Sequence, residues 1–158
     1  MLKANLKFMS KADFRFKSEN DSTGFLLWQV TNLWQREIRK SLTKYDLTHS
    51  QFVLLASILW FRNQEFEINQ ITLSNHTKMD PMNTSMVLRT LEKKGLVERV
   101  QHNKDTRAKT IDLTLKGKKI AKQSLETVEK FDELFFHPIG NETSFFNKKL
   151  ISLLSRTE

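Results

Sequence analysis

INQITLSNHTKMDPMNTSMVLRTLEKKGLV, residues 68–97, is the stretch that decides the fold. Asp80 precedes Pro81, so an acid able to accept from free backbone N–H groups stands before a residue that lacks one, which is the signature of a helix start. Gly95 stops that helix with a residue free to turn left-handed, and Leu91 and Leu96 fall where a Schellman ending brings two apolar side chains together. The spacing predicts a helix over 81–94 with Thr84, Val87, Leu88 and Leu91 facing inward. Met82, Asn83, Ser85, Met86, Arg89 and Lys93 then face outward. A shorter helix near 69–76, carrying Ile71 and Leu73 after Ile68, precedes it. Two helices joined by the tight Lys78-Met79-Asp80 turn are the result.

On the C-terminal side the period changes from helical to alternating. Residues 96–101 carry Val97 and Val100. Residues 108–115 set Ile111, Leu113 and Leu115 against Thr110, Asp112 and Thr114. The polar segment 102–107 between them makes a hairpin with a charged tip. A long helix over 115–137 follows, with Ile120, Leu125, Val128, Phe131 and Phe135 on one side. Pro138 and Gly140 break it, and a last helix runs over 142–155 with Phe146, Leu150, Leu153 and Leu154 apolar. On the N-terminal side, Thr48 and Gln51 form a capping box, with Leu47 and Phe52 placed as a hydrophobic staple. The helix they start runs to about Arg62 and reads as buried along most of its length. Before it, residues 22–44 form a helix with the stripe Leu27, Val30, Trp34 and Ile38, widened by Leu26, Trp28 and Leu33. A stripe this broad serves a core and a second subunit alike. Residues 1–20 lack periodicity and read as a flexible arm or short helix.

Composition narrows the function. The 158 residues include no cysteine, which excludes a thiol nucleophile, a thiolate zinc site and a disulfide framework. Four glycines and two prolines leave little room for turns or for a phosphate-cradling glycine loop. No nucleophile elbow or paired catalytic motif is present, and His49, His76, His102 and His137 lack metal-ligand spacing. The sequence therefore predicts no enzyme, no cofactor and no metal. With no signal-peptide pattern and no apolar run long enough to span a bilayer, it predicts a cytoplasmic protein without a membrane partner. The net charge is +8. Residues 89–122 hold eleven basic residues and four acidic ones (Glu92, Glu98, Asp105 and Asp112), so 11 − 4 = +7 lies in that one block. Charge so concentrated is the footprint of a polyanion-binding face.

The order of elements is that of a winged helix-turn-helix, and the motifs resemble the MarR family of bacterial regulators. Residues 68–97 look like that family's helix-turn-helix. Glu92-Lys93-Lys94-Gly95-Leu96-Val97 with Glu98-Arg99 is similar to its helix end and first strand. Asp105-Thr106-Arg107 resembles its wing signature, and Thr114-Leu115-Lys116-Gly117 the start of its long helix. The specific motifs cover 68–119 and the element order about 22–155.

The resemblance implies a mainly α fold with a small β-hairpin wing. It assigns 46–115 to the winged helix-turn-helix and 22–45 with 116–158 to dimerisation helices, after an arm over 1–21. It implies a homodimer on a pseudo-palindromic double-stranded DNA operator. Met82, Asn83, Ser85 and Met86 fall where the family contacts bases. Arg89, Lys93, Lys104 and Lys109 fall where the backbone would be met, Arg107 on the wing arginine of the minor groove, and Asp105 on the acid that orients it. A small aromatic or other effector is a further partner of such proteins. The family often carries Ser or Thr at position 82 and Arg at 86, where this chain has Met. Methionine meets a thymine methyl but cannot read guanine bidentately, so the expected operator is A·T-rich. The same apolar pair motivates the alternative reading, a winged-helix protein-interaction module that has lost DNA binding.

Overall fold

A computed structural model describes residues 18–101 and 109–155. Within them lie six helices and one hairpin: α1 (Thr23–Leu42), α2 (His49–Asn63), α3 (Gln70–Thr77), α4 (Pro81–Lys93), β1 (Val97–Gln101), β2 (Lys109–Leu113), α5 (Leu115–Phe136) and α6 (Thr143–Leu154). Short 3-10 segments at Glu19–Asp21, Thr43–Tyr45 and His137–Glu142 join or extend them. Among the described residues no helix is long and apolar enough to cross a membrane.

The chain divides into two units within α1, after Trp34. In the first, Ser18 caps the 3-10 turn reciprocally with Asp21. On the helix that follows, the Phe25 and Trp28 rings stack at 6.1 Å, and the Asn32 amide donates to the Trp28 carbonyl at 2.7 Å. Leu27, Trp28 and Val30 are exposed.

The second unit, from Gln35 onward, is built around α2. Thr48 and Gln51 cap it in both directions at 3.2 Å, the expected box, and Leu47 and Phe52 are buried on either side of that cap. Phe52, Leu54, Leu55, Ile58, Leu59 and Phe61 are buried against α3, α4, α5 and β2. Ile38 and Leu42 from α1, Leu73, Leu88, Leu91 and Val128 are buried with them, as are Val97, Ile111 and Leu113 of the hairpin. Each such side chain withdrawn from water contributes about 1.5–3 kcal/mol, so this one helix anchors the unit. Trp60 departs from the pattern and stands half exposed over the His76 ring.

Three expectations need correction. Leu115 is not the last apolar residue of a strand: Thr114 caps α5 by accepting from the Gly117 N–H at 2.9 Å, and Leu115 becomes an exposed first helical residue. The face α5 buries is Gly117, Ala121, Ser124 and Val128, while Ile120, Leu125, Phe131 and Phe135 are only half-buried. Small residues win there because the neighbouring backbone comes very close. A Cβ built on Gly117 would lie 1.8 Å from the Leu96 carbonyl oxygen. Finally, the apolar residues in and just before the short helix do not share one buried face: Ile68 and Leu73 are buried and Ile71 is exposed.

Candidate nucleic-acid interface

α4 begins where the sequence placed its start. The Asp80 carboxylate accepts from the Met82 and Asn83 N–H groups at 2.9 and 3.1 Å, with Pro81 at the first helical position. The turn ahead of it is tied from both sides. Lys78 closes α3 in the left-handed conformation, and Ser74, buried, donates its hydroxyl to the Met79 carbonyl at 2.7 Å. Thr84, fully buried, donates to the Asp80 carbonyl at 2.9 Å. These bonds fix the angle at which α4 leaves the core. Its far end is the predicted Schellman ending, with the Leu96 N–H on the Leu91 carbonyl at 3.0 Å and the Gly95 N–H on that of Glu92 at 2.9 Å. Gly95 has φ +67°, the left-handed value that favours glycine.

A helix so clamped presents one face outward. Met82, Asn83, Met86, Arg89 and Lys93 are exposed and Ser85 is half-buried. Met82, Met86, Arg89 and Lys93, at spacings of four, three and four, form a row along the helix. The apolar part of that row lies at the N-terminal end and the cationic part at the C-terminal end.

The hairpin beside it pairs Val97 with Leu113, Arg99 with Ile111 and Gln101 with Lys109, antiparallel. Its base is pinned at three points. The Ile111 N–H donates to the Ile68 carbonyl at 2.9 Å, Arg62 of α2 pairs with Asp112, and Thr114 donates to the Gly95 carbonyl at 2.7 Å. Lys104, Asp105 and Arg107 lie outside the described residues, as does the side chain of Lys109.

The basic block is not one uniform patch. Lys94 points back into the fold, pairing with the Asp46 carboxylate at 3.0 Å and reaching the Gln51 amide oxygen at 3.2 Å. Arg99 pairs with Glu92 at 2.6 Å, and Lys116 donates to the Lys94 carbonyl at 3.0 Å. Three cations of the charged stretch thus brace the fold: Lys94 ties the end of α4 to the start of α2, Arg99 ties β1 to α4, and Lys116 ties α5 to the end of α4. Reading charge alone missed that division. The signal available was helical phase, since Lys93 continues the outward row of α4 and Lys94 follows its end.

An ArnR1-like winged-helix domain model matches residues 43–132. The HTH-type transcriptional regulator YdcH of Bacillus subtilis (strain 168) is 39% identical over 133 residues, spanning 84% of this chain and 90% of that protein. The chain belongs to the MarR family of winged helix-turn-helix regulators. Its fold is also that of S. aureus MepR in complex with DNA, with a TM-score of 0.78 at 20% identity, over 89% of this chain and all of that one. CouR from Rhodococcus jostii RHA1, solved bound to p-coumaroyl-CoA, superimposes with a TM-score of 0.76 at 24% identity, over 89% of this chain and 94% of CouR. In this MarR-family chain α3 and α4 are the helix-turn-helix and β1–β2 the wing.

Proposed function

We propose that this MarR-family protein is a cytoplasmic, homodimeric regulator that binds a pseudo-palindromic double-stranded DNA operator, with α4 in the major groove and the wing tip in the minor groove. The observation that carries the reading is the exposed row Met82, Met86, Arg89 and Lys93 on a helix whose opposite face, Thr84, Leu88 and Leu91, is buried in the core. Met82, Asn83, Ser85 and Met86 meet base edges, which favours A·T pairs through thymine-methyl contact. Arg89 and Lys93, with Lys104 and Lys109 of the wing, neutralise phosphates. Arg107 enters the minor groove, oriented by Asp105. The protein runs no enzymatic reaction in this scheme.

The dimer reading is supported by α6, in which Phe145, Ile151, Leu153 and Leu154 are all exposed. Apolar surface of that extent marks an interface. Between the end of α5 and α6 lies a groove of about 530 Å³, lined by Phe136, Ile139, Phe146 and Leu150 together with Asp132 and His137. That size suits a small aromatic or related effector.

Duplexes selected from a random pool supply the operator, and binding is then titrated against salt. The expected Kd is roughly 10⁻⁸ to 10⁻¹¹ M, with half-sites about one helical turn apart. Arg89→Ala lowers the slope of log K against log salt by about one. Lys94→Ala leaves the slope unchanged, because its ammonium is held by Asp46 and Gln51. A parent affinity flat in salt overturns the reading and favours the protein-interaction module instead.

A further inference from the structure

We propose that Met82 and Met86 are a modification site: oxidation of their thioethers to sulfoxides by a hypohalous acid weakens duplex binding, and reduction restores it. The inference rests on the reading of α4 as the base-contacting helix.

Met82 and Met86 are 74% and 55% exposed, one helical turn apart on one face. Met79, the third methionine of the helix-turn-helix, is half-buried in the turn. The core uses neither Met82 nor Met86. The chain has no cysteine, so no thiol of its own competes for an oxidant. The surface atoms of α4 most easily oxidised are therefore two sulfurs at the positions where bases are met.

The chemistry is a two-electron oxygen transfer. A lone pair on the methionine sulfur attacks the electrophilic chlorine of hypochlorous acid, the Cl–O bond breaks, and hydroxide departs, giving a chlorosulfonium ion. Water then attacks sulfur, chloride leaves, and of the two protons lost one neutralises the hydroxide. The oxygen of that water stays on sulfur, so that CH3–S–CH2R + HOCl gives CH3–S(=O)–CH2R + H⁺ + Cl⁻. Sulfur loses two electrons and chlorine gains them. Methionine sulfoxide reductases return two electrons and two protons and release water. The product is a strong acceptor with no donor. Set against the thymine methyl that the thioether met, it has no donor to accept from; the groove's donors, the adenine N6 and cytosine N4 amino groups, stand elsewhere on the base edges. An acceptor desolvated without a partner weakens binding by about tenfold or more for each sulfoxide. Because both side chains project from the surface, the fold itself survives.

The full-length protein is treated with a few molar equivalents of hypochlorous acid, and oxygen incorporation is located by peptide mass spectrometry. Affinity for the selected duplex is measured by fluorescence anisotropy before treatment, after it, and after incubation with methionine sulfoxide reductases. The expected result is oxidation at Met82 and Met86 ahead of Met79, a rise in Kd of tenfold or more, an unchanged circular dichroism spectrum, and recovery on reduction. The double variant Met82→Leu/Met86→Leu is judged only by the ratio of its own affinities before and after oxidant, expected to stay near one. A parent oxidised at both sulfurs that binds as tightly as before overturns the proposal and leaves the DNA-binding reading standing. Equal loss in the double variant, or oxidation of Met79 first, also overturns it. An untreated protein that binds no duplex removes the reading beneath it.

Discussion

α2 and α6 are both apolar helices, and they end in opposite situations. α2 buries eight of its residues, including Phe52, Leu54, Leu55 and Ile58, against four other elements of the same chain. α6 carries Phe145, Phe146, Leu150, Ile151, Leu153 and Leu154 and buries none of them. Apolar residues cost the same to leave in water wherever they stand, so the contrast teaches where each helix finds its partner. For α2 the partner is the core. For α6 it is a second surface, which the proposed dimer supplies. The sharpest test is a pair of substitutions. Leu54→Ala, at a fully buried site, is expected to destabilise the fold by about 2–5 kcal/mol in denaturant unfolding. Ile151→Glu, at a site 63% exposed, is expected to keep the helical circular dichroism signal while light scattering moves from the dimer mass to the monomer mass. If Ile151→Glu loses stability in denaturant unfolding as Leu54→Ala does while the mass stays unchanged, the distinction between core and interface helix collapses.

A smaller effect tests how α5 meets the winged-helix unit. Gly117→Ala gains helix propensity but drives a methyl group into the Leu96 carbonyl, and backbone on both sides must yield. The expected net loss is about 1–3 kcal/mol by thermal or urea unfolding. Gly24→Ala in α1 is the control, since nothing lies within 4 Å of its added Cβ. There the substitution is expected to be neutral or to gain up to about 1 kcal/mol. A Gly117→Ala protein as stable as its parent would mean that the approach of α5 to the Leu96 backbone is loose.

These cases also explain what could be read before the fold was seen. Helix ends were legible because their physics is local. Asp80 with Pro81, Thr48 with Gln51, and Gly95 between Leu91 and Leu96 each complete a motif within six residues. The inner face of α4 was legible because Thr84, Leu88 and Leu91 repeat at helical spacing. The inner face of α5 was not. Ile120, Leu125, Phe131 and Phe135 outweigh Gly117, Ala121 and Ser124 in any hydrophobic count, and only the position of a distant backbone, at Leu96, makes smallness the requirement. The candidate interface shows the same limit. The row from Met82 to Lys93 follows from phase alone, but that Lys94 and Arg99 spend their charge on Asp46 and Glu92 depends on contacts that sequence spacing does not encode.

The smallest expected effect concerns a histidine at the start of the buried helix. His49 is the first residue of α2, half-buried beside the Phe52 ring. Burial holds its imidazole below the ordinary value of 6.5; the Asp132 carboxylate works against that shift and the Arg39 guanidinium adds to it. A cation there would also face the positive end of the α2 dipole. Above pH 6.5 the ring is neutral in both the folded and the unfolded chain, and its contribution to stability is fully present. As pH falls from 6.5 through the lower folded value, the unfolded chain binds a proton that the folded chain resists, so unfolding gains and stability drops. The expected outcome is a melting temperature that declines modestly between pH 7.5 and pH 5.5 and declines less in His49→Gln. Glu37, held below its ordinary value first by its bond to Lys40, loses its contribution only below about 4.5 and stays outside this window. A melting temperature whose pH dependence is identical in parent and His49→Gln would show that the mouth of α2 admits the charged ring freely, and that burial along that helix begins only at Gln51.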